Sequence, residues 1–121
     1  MRNIEFTVPL YGFKVTFLEI ESDSDKDDVV NILSKFDGLQ EYIEDTISFI
    51  ENGYIDGGDT FSSQALKEIV VIVYPCKCEE SRRKVVNHEK RHVEDKILRY
   101  CNINDDEAAA YLAGYLSAFL Y

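Results

Sequence analysis

The segment VNHEKRHVED, Val86–Asp95, holds both histidines of the chain, four residues apart, with a glutamate directly after the first. On a helix, positions i and i+4 lie one above the other on a single face. His88 and His92 would then point the same way, close enough to hold one metal ion. Glu89 would be turned about 100° from His88, flanking the ion without ligating it. This is the H-E-x-x-H arrangement of zinc hydrolases, in which two imidazoles bind the ion and the glutamate takes a proton from the attacking water. A pair of surface histidines on a solvated helix is the plainer alternative.

A catalytic zinc needs three protein ligands and an open position. Any carboxylate C-terminal to the histidine helix must be Asp105, Asp106 or Glu107, because no acid follows them. Glu107 is the expected third ligand. On its helix it shares a face with Ala110, Tyr111, Gly114 and Ala118, and the small residues there would let another helix approach closely. The alternative use of Glu107 is a capping box, Asn104-x-x-Glu107. A strictly antiparallel pair of helices would also offset His92 from Glu107 by about 6–9 Å, so the metal reading requires helices that cross at an angle.

These residues need elements to hold them. Apolar residues at Val86, Val93, Ile97 and Tyr100 make one stripe of a helix from about Glu79 to Tyr100, and the histidines project about 130° from it. A second C-terminal helix opens near Asn104 and runs through DDEAAAYLAGYLSAFLY. The run Ile69–Tyr74, ended by Pro75, reads as a buried strand. At the N-terminus, Ile4, Phe6 and Val8, then Phe13, Val15 and Phe17 after a turn near Leu10–Gly12, alternate as a β-hairpin. Val29, Ile32, Leu33 and Phe36 predict a helix capped at Ser24 or Asp25 and stopped by Gly38. Leu39, Ile43, Ile47 and Ile50 predict another, ended by Gly53. GYIDGGDTFSSQ reads as a loop. The sum is one α+β domain over 1–121: an N-terminal β-hairpin and a buried strand packed on helices, followed by the HExxH helix and a third-ligand helix.

Composition narrows the function. Twenty-three acidic against thirteen basic residues give a net charge of −10, which repels phosphate backbones and argues against nucleic-acid binding. The N-terminal residues lack a secretion signal pattern, and no apolar run approaches the 18 residues of a membrane span. The expectation is a soluble, cytoplasmic protein, and Cys76, Cys78 and Cys101 are expected as free thiols.

HEKRH followed by DDEAAAYLAGYL resembles the short zincin metallopeptidases of gluzincin type, with the ImmA/IrrE group as the nearest likeness. The resemblance covers Ile69 to about Leu116. It implies that His88, His92 and Glu107 bind zinc, that Glu89 is the general base, and that the strand at Ile69–Tyr74 lines the cleft and pairs with an extended peptide or protein substrate. Lys90 and Arg91 occupy two central positions that are usually uncharged in that group. Tyr111, one turn from Glu107 on the same face, is the candidate second donor to the oxyanion.

Two other functions suit the same residues. Cys76, Cys78, His88 and His92 form C-x-C-x9-H-x3-H, the ligand types of a closed structural zinc site. Alternatively, a metal-free acidic protein could bind a basic partner through its negative surface, with ESDSDKDD as the contact.

Overall fold

The computed structural model describes residues 1–36 and 40–121. The expected helix stop at Gly38 and the first apolar position of the following helix, Leu39, lie outside the described residues.

Two strands open the chain, β1 (Arg2–Thr7) and β2 (Lys14–Glu19). They pair antiparallel, with Ile4 opposite Phe17, as their alternation predicts. The connection is tight: the Val8 amide donates to the Phe13 carbonyl at 2.8 Å and the Gly12 amide to the Val8 carbonyl at 3.0 Å. Gly12 sits at φ +72°, a conformation that costs glycine little because it has no Cβ.

A single 3-10 turn, Asp23–Asp25, leads into α1 (Lys26–Leu33), and α2 (Gln40–Glu51) follows. The Asp25 carboxylate accepts from the amides of Glu21 and Ser22 at 2.9 and 3.2 Å. Those amides hold its carboxyl below the usual carboxylate range, the Glu21 amide most of all, with the chain's terminal ammonium adding to the effect.

The segment read as a loop contains a strand, β3 (Gly58–Ser63), which pairs antiparallel with β4 (Glu68–Val73). β4 also runs parallel to β2, with Val15 opposite Ile69. The order across the sheet is β1-β2-β4-β3. Helices α3 (Glu79–Tyr100) and α4 (Asp106–Leu116) complete the chain.

The sheet lies between two helical layers. One core joins Val15, Phe17, Val71 and Val73 with Val86, Val93 and Ile97 of α3 and with Leu112 and Leu116 of α4. The other joins Leu18, Val70 and Ile72 with Val29 and Leu33 of α1 and with Ile50 of α2. β2 and β4 are therefore covered on both faces. For β4 this matches its unbroken apolar run. For β2 the second face was hidden in the sequence, because Thr16 interrupts it.

One partly buried ion pair ties β2 to the first turns of α3. Arg82 grips the Glu19 carboxylate with two nitrogens, Nε on Oε2 and Nη2 on Oε1, the latter at 2.9 Å. That grip, more than the burial that opposes it, holds the Glu19 carboxyl below its ordinary value. A lowered carboxyl pKa stabilises the fold above the unfolded value and loses that contribution as pH falls through the folded one. Glu19→Gln should therefore cost about 2 kcal/mol at pH 7. In urea titrations the gap from wild type should narrow steadily once the pH is taken below about 4.

Candidate metal centre

α3 begins where Cys78 takes the N-cap position, with Glu79 and Glu80 in the first turn, where the helix dipole favours acids. Glu79–Arg83 and Glu80–Lys84 pairs brace its exposed face at 3.4 and 3.5 Å. Its apolar stripe lies in the core, and that fixes the direction of every other side chain. Glu89 and Lys90 each fall about 50° from the stripe, on opposite flanks. The histidines lie further round, beyond Glu89.

The flank bearing Glu89 faces β3. Glu89 is buried, 3% exposed, and its Oε2 accepts from the Thr60 hydroxyl at 3.3 Å. His88 and His92 are both exposed and stand with their rings perpendicular. Their Nε2 atoms are 3.1 Å apart. One ligand atom from each of His88, Glu89 and His92 lies within 4.8 Å of the others, and this is the one such group among the described residues.

The spacing fits a metal. Two nitrogens bound about 2.05 Å from a tetrahedral ion sit about 3.3 Å apart. The two imidazoles also suit zinc and its neighbours, with the Glu89 carboxylate beside them. Burial pushes the Glu89 carboxyl above its ordinary pKa. His92, His88 and the Thr60 hydroxyl pull the other way.

Close approach of β3 to α3 depends on glycine. A Cβ at Gly58 would lie 2.6 Å from the Ile72 carbonyl oxygen and 2.9 Å from Cγ of Glu89. At the neighbouring Gly57, a Cβ would run into the Tyr54 ring at 2.2 to 2.6 Å. Gly58, one of the two glycines that made this segment read as a loop, is thus what lets the strand lie beside the glutamate.

The expected third ligand is elsewhere. Lys90 donates to the Ser117 hydroxyl at 2.9 Å, so α4 packs on the Lys90 flank, about 160° round α3 from either histidine. α4 turns Leu112 and Leu116 into the core and leaves Ala110, Gly114 and Ala118 exposed. The more apolar stripe won the core, and the small-residue face carrying Glu107 was left in solvent. Glu107 is exposed and does not join the histidines. Its backbone amide donates to Asp105, which caps α4 in place of the expected Asn104. Tyr111 shares that outer face, 42% exposed and stacked on Tyr115. It too is separated from the histidines, so the structure does not supply it as an oxyanion donor.

The cysteine-containing zinc site is not assembled either. Cys78 caps α3 ten residues before His88, about 15 Å along the helix. Sequence reasoning missed Thr60 and Gly58. The one available signal was the β-branched and aromatic pair Thr60–Phe61 inside the Gly, Asp and Ser composition.

No protein-family profile, curated protein or solved structure matches this chain.

Gly58→Ala tests the junction between strand and helix. The added methyl group should lower stability by about 1–3 kcal/mol in urea titration. It should also turn Glu89 away from Thr60, which a crystal structure of the variant would reveal.

Proposed function

We propose that this protein holds a divalent cation of the zinc class between His88 and His92, two of the three protein ligands that a catalytic zinc takes, and hydrolyses peptide bonds beside it, with Glu89 as the general base. The observation that carries the reading is the convergence of both imidazole Nε2 atoms and the Glu89 carboxylate within 4.8 Å. The ion would supply Lewis-acid polarisation of the scissile carbonyl and acidify the attacking water.

The protein's own groups do the rest. Glu89 takes the proton from the attacking water and hands it to the leaving amine. Burial has already raised its affinity for that proton, and a base poised nearer to neutrality both accepts and returns a proton efficiently. Thr60 holds one carboxylate oxygen and so sets the direction of the other.

A peptide is the substrate class that suits the surroundings. β3 is an edge strand of the sheet, and its Thr60 touches Glu89. An edge strand offers unpaired backbone groups to an extended chain. The strand next to the histidines is β3, whereas β4, which the resemblance made the cleft strand, is paired on both sides.

Zinc at a hundred times its Kd should stabilise the wild type by about 2.7 kcal/mol. His88→Ala and His92→Ala should each lose that gain. Glu89→Gln should keep the zinc and reduce hydrolysis of a mixed peptide library by about 100-fold or more. Zinc content and thermal shift that ignore both histidine substitutions would end the metal reading. Full hydrolysis by Glu89→Gln would end the role given to the base.

A further inference from the structure

The cysteines near the start of α3 belong to no part of the histidine site. Cys76 and Cys78 line one open cavity of about 340 Å³, walled by Glu19, Ile20, Pro75 and Arg82. Both are free thiols. They differ in surroundings. Cys78 is exposed at the N-cap of a 22-residue helix, where the helix dipole favours an anion. The Ser81 hydroxyl lies 3.3 Å from its sulfur, placed to donate to a thiolate. Cys76 is half-buried, with its thiol 3.4 Å from the Tyr74 carbonyl oxygen. The chain bends at Lys77 and Cys78, and both thiols open on that one cavity.

We propose that Cys76 and Cys78 are a dithiol site that a hydroperoxide oxidises, through Cys78, to an intrachain disulfide. The Cys78 thiolate attacks the peroxide, the O–O bond breaks, and the departing oxygen leaves as water or an alcohol after taking a proton. Sulfur gains the other oxygen as a sulfenic acid. The Cys76 sulfur then attacks the Cys78 sulfur, the S–O bond breaks, and hydroxide leaves with the Cys76 proton as water. Two thiols have lost two electrons and the peroxide has taken them.

The division of labour follows from the surroundings. Hydrogen bonding from Ser81, first through its side chain and then its amide, with help from the Glu80 amide and the Lys77 charge, draws the Cys78 thiol below its ordinary pKa. Burial, aided by the charge of Asp56, pushes Cys76 above its own. One sulfur is prepared to attack a peroxide. The other stays protonated until a sulfenic acid appears beside it. Cys101, at the far end of α3, is the reference thiol within the same chain.

The test treats the whole chain with a small excess of hydrogen peroxide, alkylates the remaining thiols and maps the peptides by mass. The wild type should lose two hydrogen atoms, with Cys76 and Cys78 joined in one peptide and Cys101 alkylated. Cys76→Ser should stop at a sulfenic acid on residue 78, captured by dimedone. Cys78→Ser should be oxidised at Cys76 at least about tenfold more slowly than wild type reacts at Cys78. The proposal is overturned if Cys101 takes dimedone as fast as Cys78, or if the disulfide joins two chains. It is equally overturned if wild-type Cys78 is oxidised without bonding to Cys76.

Discussion

Val86, Val93 and Ile97 seat α3 in the core shared with Val71 and Val73 of the sheet, and burying that stripe fixes the rotation of the helix about its axis. Every other feature of the site follows from that rotation. Glu89 is carried to the flank beside β3, Lys90 to the flank beside α4, and the histidines to open surface. A helix rotated by one position, about 100°, toward the histidines would bury His92 and carry Glu89 from the β3 flank to the flank that Lys90 now occupies. The apolar residues prevent this, because burying them is worth more than any single polar contact on the helix.

Burial gives Glu89 its chemical character. A carboxylate at the same distance from two imidazoles in open water would be an ordinary surface acid. Here the β3 backbone comes close because Gly58 has no side chain, water is excluded, and the carboxyl is pushed toward its protonated form. The hydroxyl of Thr60 partly offsets that desolvation. Lys90 and Arg91, whose charges are unusual for the pattern they interrupt, also find places. Lys90 reaches Ser117 on α4, and Arg91 turns outward toward Glu94 and Asp95.

Much of this architecture was legible from periodicity. The hairpin, the buried strand and the full extent of the histidine helix follow from where apolar residues recur, since burial is decided locally by period two or 3.6. β3 was not legible. An edge strand buries little, so it needs few apolar residues, and Gly57, Gly58 and Asp59 disguise it as a turn. The third-ligand assignment failed for a different reason. Glu107 and the small residues around it suggested a face for close packing, but Leu112 and Leu116 offered a larger apolar gain on another face, and only one face of α4 could enter the core.

The amino-acid order by itself determined that His88 and His92 share a face and that Glu89 adjoins them. These are consequences of helical geometry within five residues, and no tertiary contact is needed to produce them. Tertiary structure decided which groups complete the neighbourhood. Thr60 lies 29 residues from Glu89 and reaches it only because β3 joins the edge of the sheet under that flank of α3. Glu107 lies 15 residues from His92 and misses it because α4 packs on the other flank. Sequence distance says nothing about which side of a helix its neighbours will take. That choice belongs to the competition between apolar faces for one core.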